Sequence, residues 1–248
     1  AGCEVTLLIR KDRVLSTWER RASMTLTREL KRRGVNVIAR TAVDRVDTGA
    51  NLGATVHYRQ GDSDEDRTAY GEVVLAAIGR VPNTDADWFR SSGLKLDERG
   101  YVTVDGYGRT NLDGVWALGD ITPGHALAHR AFEQGITIAE KIAGADPKPV
   151  IDDTVPQVVF SFPEAASVGL TLDQAKARED VVEPKETAYP MLSNARMLMS
   201  GEGGSMTVVS GAFANNPDMQ VVLGVHIVSP IASDLIAEAE QLVGNRVP

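Results

Sequence analysis

The chain has 248 residues, 43% of them hydrophobic, enough apolar material for one large core or two modest ones. Its formal net charge of -8 argues against sequence-independent nucleic-acid binding, which needs clustered lysine and arginine. No stretch reads as a membrane span or a secretory signal, and the single cysteine, Cys3, excludes an intrachain disulfide, so a cytoplasmic setting is expected.

Residues 5–9 are continuous, apolar and partly β-branched, which predicts a buried strand. Ala22, Leu26 and Leu30 recur at four-residue spacing and predict a helix over 18–33, closed by Gly34. Val35-Asn36-Val37-Ile38 reads as the next strand, so the opening is a parallel β-α-β unit. Three strands follow at 41–46, 54–59 and 70–78, with a solvated acidic loop at Asp62–Asp66, and together they read as a β-meander. Gly79-Arg80-Val81-Pro82-Asn83-Thr84 is a glycine–proline break between modules.

Residues 85–120 hold short elements and then a short buried strand, Val115-Trp116-Ala117-Leu118, with Trp116 expected in the core. The strand stops at Gly119-Asp120, and a helix is expected over 125–143, with Leu127, Ala131, Ile138 and Ile142 near one face. From Val155 an α+β module is expected, with strands at 157–162, 186–191, 205–210 and 219–228. Thr171-Leu172-Asp173-Gln174 has the spacing of a capping box, and a last helix is expected over 232–243. Met191, Met197, Met199 and Met206 read as packing filler, and Cys3 as a small buried residue. The chain opens without a Met directly into a strand-like run and closes just after a helix; these ends predict a fragment of a longer protein.

The Gly119-Asp120 pair carries the first chemical signal. The carboxyl edge of a strand is where α/β folds place ligands, and a carboxylate there accepts hydrogen bonds from sugar-like hydroxyls. The helix start that follows offers unpaired N–H groups and a positive dipole end. Taken alone, Gly-Asp is more often an ordinary Asx turn, and His129 alone is more often a packing or capping histidine.

Residues 110–120, with Leu127-Ala128-His129 and Glu133-Gln134-Gly135, resemble the second FAD-binding motif of the flavoprotein disulfide reductases (pyridine nucleotide-disulfide oxidoreductases). Ala76, Ile78 and Gly79–Thr84 look like that family's link between nicotinamide and FAD domains. Residues 155–160 and 163–171 are similar to the start of its dimerisation domain. Within the family, Leu192–Arg196, Leu223–Val228 and Pro230–Ile236 look most like the dihydrolipoamide dehydrogenase group.

The resemblance implies an α/β plus α+β architecture. It has a partial Rossmann-like NAD(P)-binding domain with β-meander at 1–78, an FAD-domain segment at 79–147 and a truncated dimerisation domain with an antiparallel sheet at 148–248. It implies an enzyme using FAD and NAD or NADP to oxidise a dithiol, working as a homodimer, with a 2-oxoacid dehydrogenase complex as partner of the parent. By position, Gly119 and Asp120 meet the ribityl or pyrophosphate region of FAD, and Ala126, Leu127, Ala128 and His129 approach the isoalloxazine. Val43 and Gly79 match positions that line the nicotinamide cofactor.

The chain departs from the family pattern in four places. These 248 residues hold neither glycine fingerprint, no CxxxxC pair, and no match to the family's His-Glu pair; His226 sits in a strand run instead. The segment alone is therefore expected to be inert and to bind FAD weakly or not at all. Where NAD-using relatives carry an acid, this chain has Ile9 followed by Arg10 and Lys11, which resemble the NADP-preferring branch because cations pair with a 2′-phosphate. NAD and NADP stay open, as do an NADPH-dependent disulfide or metal-ion reductase and a non-catalytic dimerisation module. Self-association is expected through residues 150–248, and charge placed in 219–228 or in the terminal helix is expected to weaken it.

Overall fold

The computed structural model describes residues 2–49 and 53–248. They form two compact units, 77–155 and the remainder, each taken here by itself.

The first unit opens with β1 (Thr6–Ile9), α1 (Arg20–Arg32) and β2 (Asn36–Ala39), and the two strands run parallel from Thr6↔Asn36 to Ile9↔Ala39. The four-residue spacing buries Ala22 and Leu26 against Val14 and Val37. Glu19 caps α1: its carboxylate accepts from the N–H of Arg21 at 2.6 Å and of Ala22 at 2.7 Å. At the other end Gly34 donates to Lys31 and Val35 to Leu30, a Schellman closure with Leu30 and Val35 in the same apolar cluster. Contrary to expectation β1 is only half-buried, because this sheet has two strands and β1 pairs on one side. Cys3 is exposed, not buried, since it precedes the first rung of that ladder.

The meander is antiparallel: β3 (Thr41–Thr48), β4 (Ala54–Gln60) and β5 (Arg67–Gly71) pair in that order. The third strand lies earlier than expected. Its last rung is Ala54↔Gly71, where β4 begins, so the apolar residues that follow have nothing to pair with in this sheet. Val73, Leu75 and Ile78 are consequently 88%, 87% and 95% exposed.

The second unit contains α2 (Asp87–Ser91) and α3 (Ala128–Ile142), with a small core of Phe89, Val102 and Ala117. Residues 115–118 are not a strand. They close a tight hairpin through Ala117 N–H to Gly108 O at 2.8 Å and Thr110 N–H to Val115 O at 3.1 Å, with one bridge, Arg109↔Trp116. Only Ala117 of the four is buried, and Trp116 is half-buried under the Arg109 guanidinium, not a core residue. Helix α3 begins at Ala128, three residues later than expected, and its buried face carries Arg130, Thr137 and Ile138 while Ile142 is exposed.

The rest of the first unit is one five-stranded antiparallel sheet. Its elements are β6 (Gln157–Val159), β7 (Glu164–Gly169), α4 (Leu172–Ala177), β8 (Val181–Pro190), α5 (Ala195–Ser200), β9 (Ser205–Phe213), β10 (Asn216–Ser229) and α6 (Ala232–Gly244). The strand order is β6-β7-β10-β9-β8. The capping box at Thr171 and Gln174 forms as expected. Strand β7 and helix α5 are elements the apolar pattern did not signal, β8 begins at Val181, earlier than expected, and β6 is shorter. Met191 and Met197 are buried and Met206 packs on the core, whereas Met199 is 87% exposed.

Alternation along β10 serves two faces. Val225 and Ile227 pack with Ala166 and Val168 against Ile236, Ala239 and Val243 of α6, while Val228 packs with Ala165 against Ala22 and Leu26 of α1. Residues 221–229 of this strand are therefore central core, so charge introduced there, within the expected 219–228 stretch, acts on the fold itself. His226 lies between, 1% exposed; its Nε2 donates to Leu170 O at 3.2 Å and its Nδ1 is 2.8 Å from Ser167 Oγ.

Burial holds the His226 imidazole below its ordinary value of 6.5, against weaker opposing pulls from the Leu170 carbonyl and Glu19. The unfolded chain then binds this proton more readily, so the stability it contributes is complete above pH 6.5 and declines as pH falls below it. Replacing His226 with Gln is expected to flatten that acid limb, by at most about 1.4 kcal/mol per pH unit, when urea unfolding is followed across the range. Val225→Asp is expected to abolish cooperative thermal unfolding, read by circular dichroism.

Candidate functional site

The hairpin delivers the chain to Gly119, whose φ of +71° turns it into a short 3-10 turn over Gly119–Ile121. Three bonds hold that turn. Gly119 N–H donates to Gln134 Oε1 of α3 at 2.8 Å, and its carbonyl accepts from the Thr122 N–H at 3.0 Å and hydroxyl at 2.8 Å. A Cβ at Gly119 would stand 3.3 Å from that of Ala131, a tight contact that adds to the preference for glycine set by its positive φ.

Asp120 projects from this turn with its side chain 56% exposed. Its one partner among the described residues is Arg80, at 3.8 Å, and the carboxylate bonds no backbone N–H. That geometry is not the self-satisfied Asx turn that a Gly-Asp pair otherwise forms. Arg80 itself was not singled out by the sequence pattern, although it lies in the Gly79–Thr84 break.

Leu127 is the N-cap of α3, and it supplies no side-chain cap. Ala126, Ala128 and His129 are exposed and Leu127 is half-buried, around a helix start with no acidic residue in its first turn. The positive end of the dipole is thus left uncompensated from within the helix. The turn, Asp120 and the residues 126–129 all belong to one unit and are tied to one helix.

Arg130 was missed by sequence reasoning. It is 6% exposed, with Nε 2.6 Å from Asp152 Oδ1 and Nη2 2.6 Å from Pro123 O. The available signal was a cation in the first turn of a helix, where the dipole disfavours it. Asp152 compensates, and the pair clamps the 123–124 loop to α3. Gly124, at φ +120°, passes so close that a Cβ there would collide with Arg130 and Asp152.

The remaining candidates lie elsewhere. Arg10 and Lys11 are exposed at the carboxyl end of β1, and Val43 is half-exposed on β3 in the same unit. Gly79 belongs to the other unit, exposed at φ +141°. Among the described residues no group of three or more His, Cys, Asp or Glu is arranged to hold a metal, and no helix is long and apolar enough to cross a membrane.

Residues 1–135 match the pyridine nucleotide-disulphide oxidoreductase family, and residues 155–248 match the dimerisation domain of pyridine nucleotide-disulphide oxidoreductases. The chain belongs to this family. It is 37% identical over 240 residues to a dihydrolipoyl dehydrogenase of Cupriavidus necator, covering 96% of this chain and 48% of the relative. A dihydrolipoyl dehydrogenase of Geobacillus stearothermophilus is likewise 37% identical over 243 residues, with the same coverage of 96% and 48%. The crystal structure of LpdA from Mycobacterium tuberculosis superimposes with a TM-score of 0.85 at 30% identity, over 99% of this chain and 51% of that one. The HOCl-induced flavoprotein disulfide reductase RclA of Escherichia coli shares the fold, with a TM-score of 0.81 at 23% identity over 100% of this chain and 54% of that one. The chain spans about half the length of the curated relatives it matches.

Gly124→Ala is expected to force the Arg130–Asp152 pair apart and to lower stability by about 2 kcal/mol or more, read as a drop in the thermal midpoint.

Proposed function

We propose that this chain is one half of an FAD-dependent, NAD(P)-linked dithiol–disulfide oxidoreductase, and that the whole protein is a dihydrolipoamide dehydrogenase, converting dihydrolipoamide and NAD+ to lipoamide and NADH. Residues 1–78 contribute to the nicotinamide domain, 79–147 to the FAD domain, and 148–248 to the dimerisation domain. The reading rests on the match to the family together with one local observation: an exposed carboxylate, Asp120, on a turn pinned by Gln134 beside the uncapped start of α3.

That donor set fits FAD. An acceptor carboxylate suits ribityl hydroxyls, and a helix start with no acidic residue in its first turn suits an electron-rich ring edge. FAD, when bound, supplies a two-electron relay between dithiol and nicotinamide. The chain's own part would be to hold and orient it: Gly119 allows the tight turn, Asp120 would accept hydroxyl hydrogen bonds, and the start of α3 at Ala128 would present its positive end to the ring. Arg80 keeps a positive charge beside Asp120, and the Arg130–Asp152 clamp fixes the loop between turn and helix.

The single cysteine of these 248 residues is exposed Cys3, so the segment carries no redox disulfide and by itself is inert, with at most weak FAD retention. Its association as a homodimer through 150–248, a cytoplasmic location, and attachment of the parent to a 2-oxoacid dehydrogenase complex complete the proposal. Arg10 and Lys11 favour a second reading, an NADPH-dependent disulfide or metal-ion reductase of the same family.

Full-length protein is expected to be yellow and to reduce NAD+ with dihydrolipoamide, whereas residues 1–248 alone show neither property. Asp120→Asn is expected to weaken flavin retention about tenfold in the full-length protein, measured by ultrafiltration and absorbance. A full-length protein without flavin absorbance sinks the reading. A flavoprotein that reduces disulfides with NADPH but ignores dihydrolipoamide selects the second one.

A further inference from the structure

The methionines between 191 and 206 do not share one role. Met191 and Met197 are buried and Met206 packs on the core, while Met199 stands open. Leu198 beside it is 62% exposed and Leu192 is 54% exposed. All of these except Met206 lie on the connection between β8 and β9, a short 3-10 turn over Met191–Ser193 followed by α5. Along it inward residues alternate with outward ones: Met191 then Leu192, Met197 then Leu198 and Met199. The inward pair seats the connection on its own chain. The outward residues join none of the chain's apolar clusters, and outward positions on so short a helix are ordinarily polar.

Caps build the element that carries them. Asn194 Oδ1 accepts from the Arg196 N–H at 2.9 Å, and Gly201, at φ +67°, closes the last turn by donating its N–H to Leu198 O at 3.3 Å. A helix of six residues is only about 9 Å long, so Leu198, Met199 and the adjoining Leu192 share one small area. Open apolar residues elsewhere in this module are scattered. Met219 and Ile231 are less than half exposed, Phe162 lies under the Arg33 guanidinium at 4.2 Å, and Phe160 stands open by itself. The outward residues of α6 include Asp234 and Glu238, and two copies meeting there about a two-fold axis would bring carboxylates together.

We infer that the β8–β9 connection is the surface through which two copies of this chain associate, with Leu192, Leu198 and Met199 at the centre of the contact. The inference rests on the homodimer proposed above and names its surface. A second copy is the occupant because the patch lies within residues 155–248, which match a dimerisation domain, and because uncharged side chains meet their own kind without repulsion. Methionine is enriched at interface centres, where its flexible thioether adapts to a facing surface. A contact of ordinary size covers about 800 Å² on each partner, so the exposed polar residues Ser193, Asn194 and Arg196 form the rim around this centre.

Sedimentation velocity of the full-length protein across a dilution series tests this. Leu198→Glu places a carboxylate from each copy in the contact. The dimer is expected to weaken about a hundredfold or more, with the far-UV circular dichroism unchanged because the side chain is open in the single chain. Glu238→Lys on α6 is expected to leave the dimer constant within about twofold. One measurement needs no substitution: in the parent dimer Met199 is expected to oxidise with dilute peroxide about tenfold more slowly than free methionine, read by mass spectrometry. If Leu198→Glu does not fold, the peroxide comparison decides by itself. A Leu198→Glu protein that stays dimeric, a Met199 that oxidises as fast as free methionine, or a dimer lost in Glu238→Lys alone overturns this inference and leaves the homodimer standing. A parent that is monomeric at about 50 μM overturns both.

Discussion

Two-sided burial of β10 is the constraint on which the larger unit depends. Neighbouring residues along one strand face opposite ways, so Ile227 and Val228 belong to different apolar clusters, one roofed by α6 and the other by α1. The β-α-β opening thus does not fold as a separate layer: Val14, Ala22, Leu26 and Val37 share their cluster with Ala165 and Val228, residues far along the chain. A polar residue, His226, sits between the two clusters and is tolerated because both ring nitrogens have partners. Charged contacts at the rim repeat the link, since Glu202 pairs with both Arg32 and Arg33 at the end of α1.

The smaller unit is organised differently. Its core is slight, and much of its order comes from hydrogen bonds to loops: Gln134 on the Gly119 turn, Arg130 on the 123–124 loop, Asp105 on the backbone of Tyr107 and Arg109. Polar side chains on one face of α3 thus do the positioning that apolar packing does in the larger unit. A carboxylate such as Asp120 then remains exposed while its backbone is fixed, which is the arrangement that proximity effects in binding require.

Local signals were the legible ones. The spacing of Ala22, Leu26 and Leu30, the glycine after α1 and the Thr171–Gln174 box each depend on residues within a few positions, and each appears in the structure. Pairing was less legible. Whether 115–118 or 73–78 becomes a strand depends on a neighbouring strand supplying rungs, and apolar content alone does not report that. Of the candidate site, the run from Gly119 to His129 was visible because turn, acid and helix start are contiguous. Arg130 was not singled out, because its meaning lies in Asp152 and Pro123, which only the fold brings to it.

The run after β5 has a consequence for handling the segment. Val73 to Gly79 carries no charge, is largely apolar and makes no ladder, with Val73, Leu75 and Ile78 almost fully open. Such a stretch is a template for edge-to-edge pairing between copies. Pairing of that kind is head-to-tail or open-ended, whereas a two-fold contact closes after one partner. For isolated 1–248 chains this run would be a route to self-association separate from the dimer proposed above: a two-fold dimer saturates, whereas edge pairing grows with concentration and ends in turbidity.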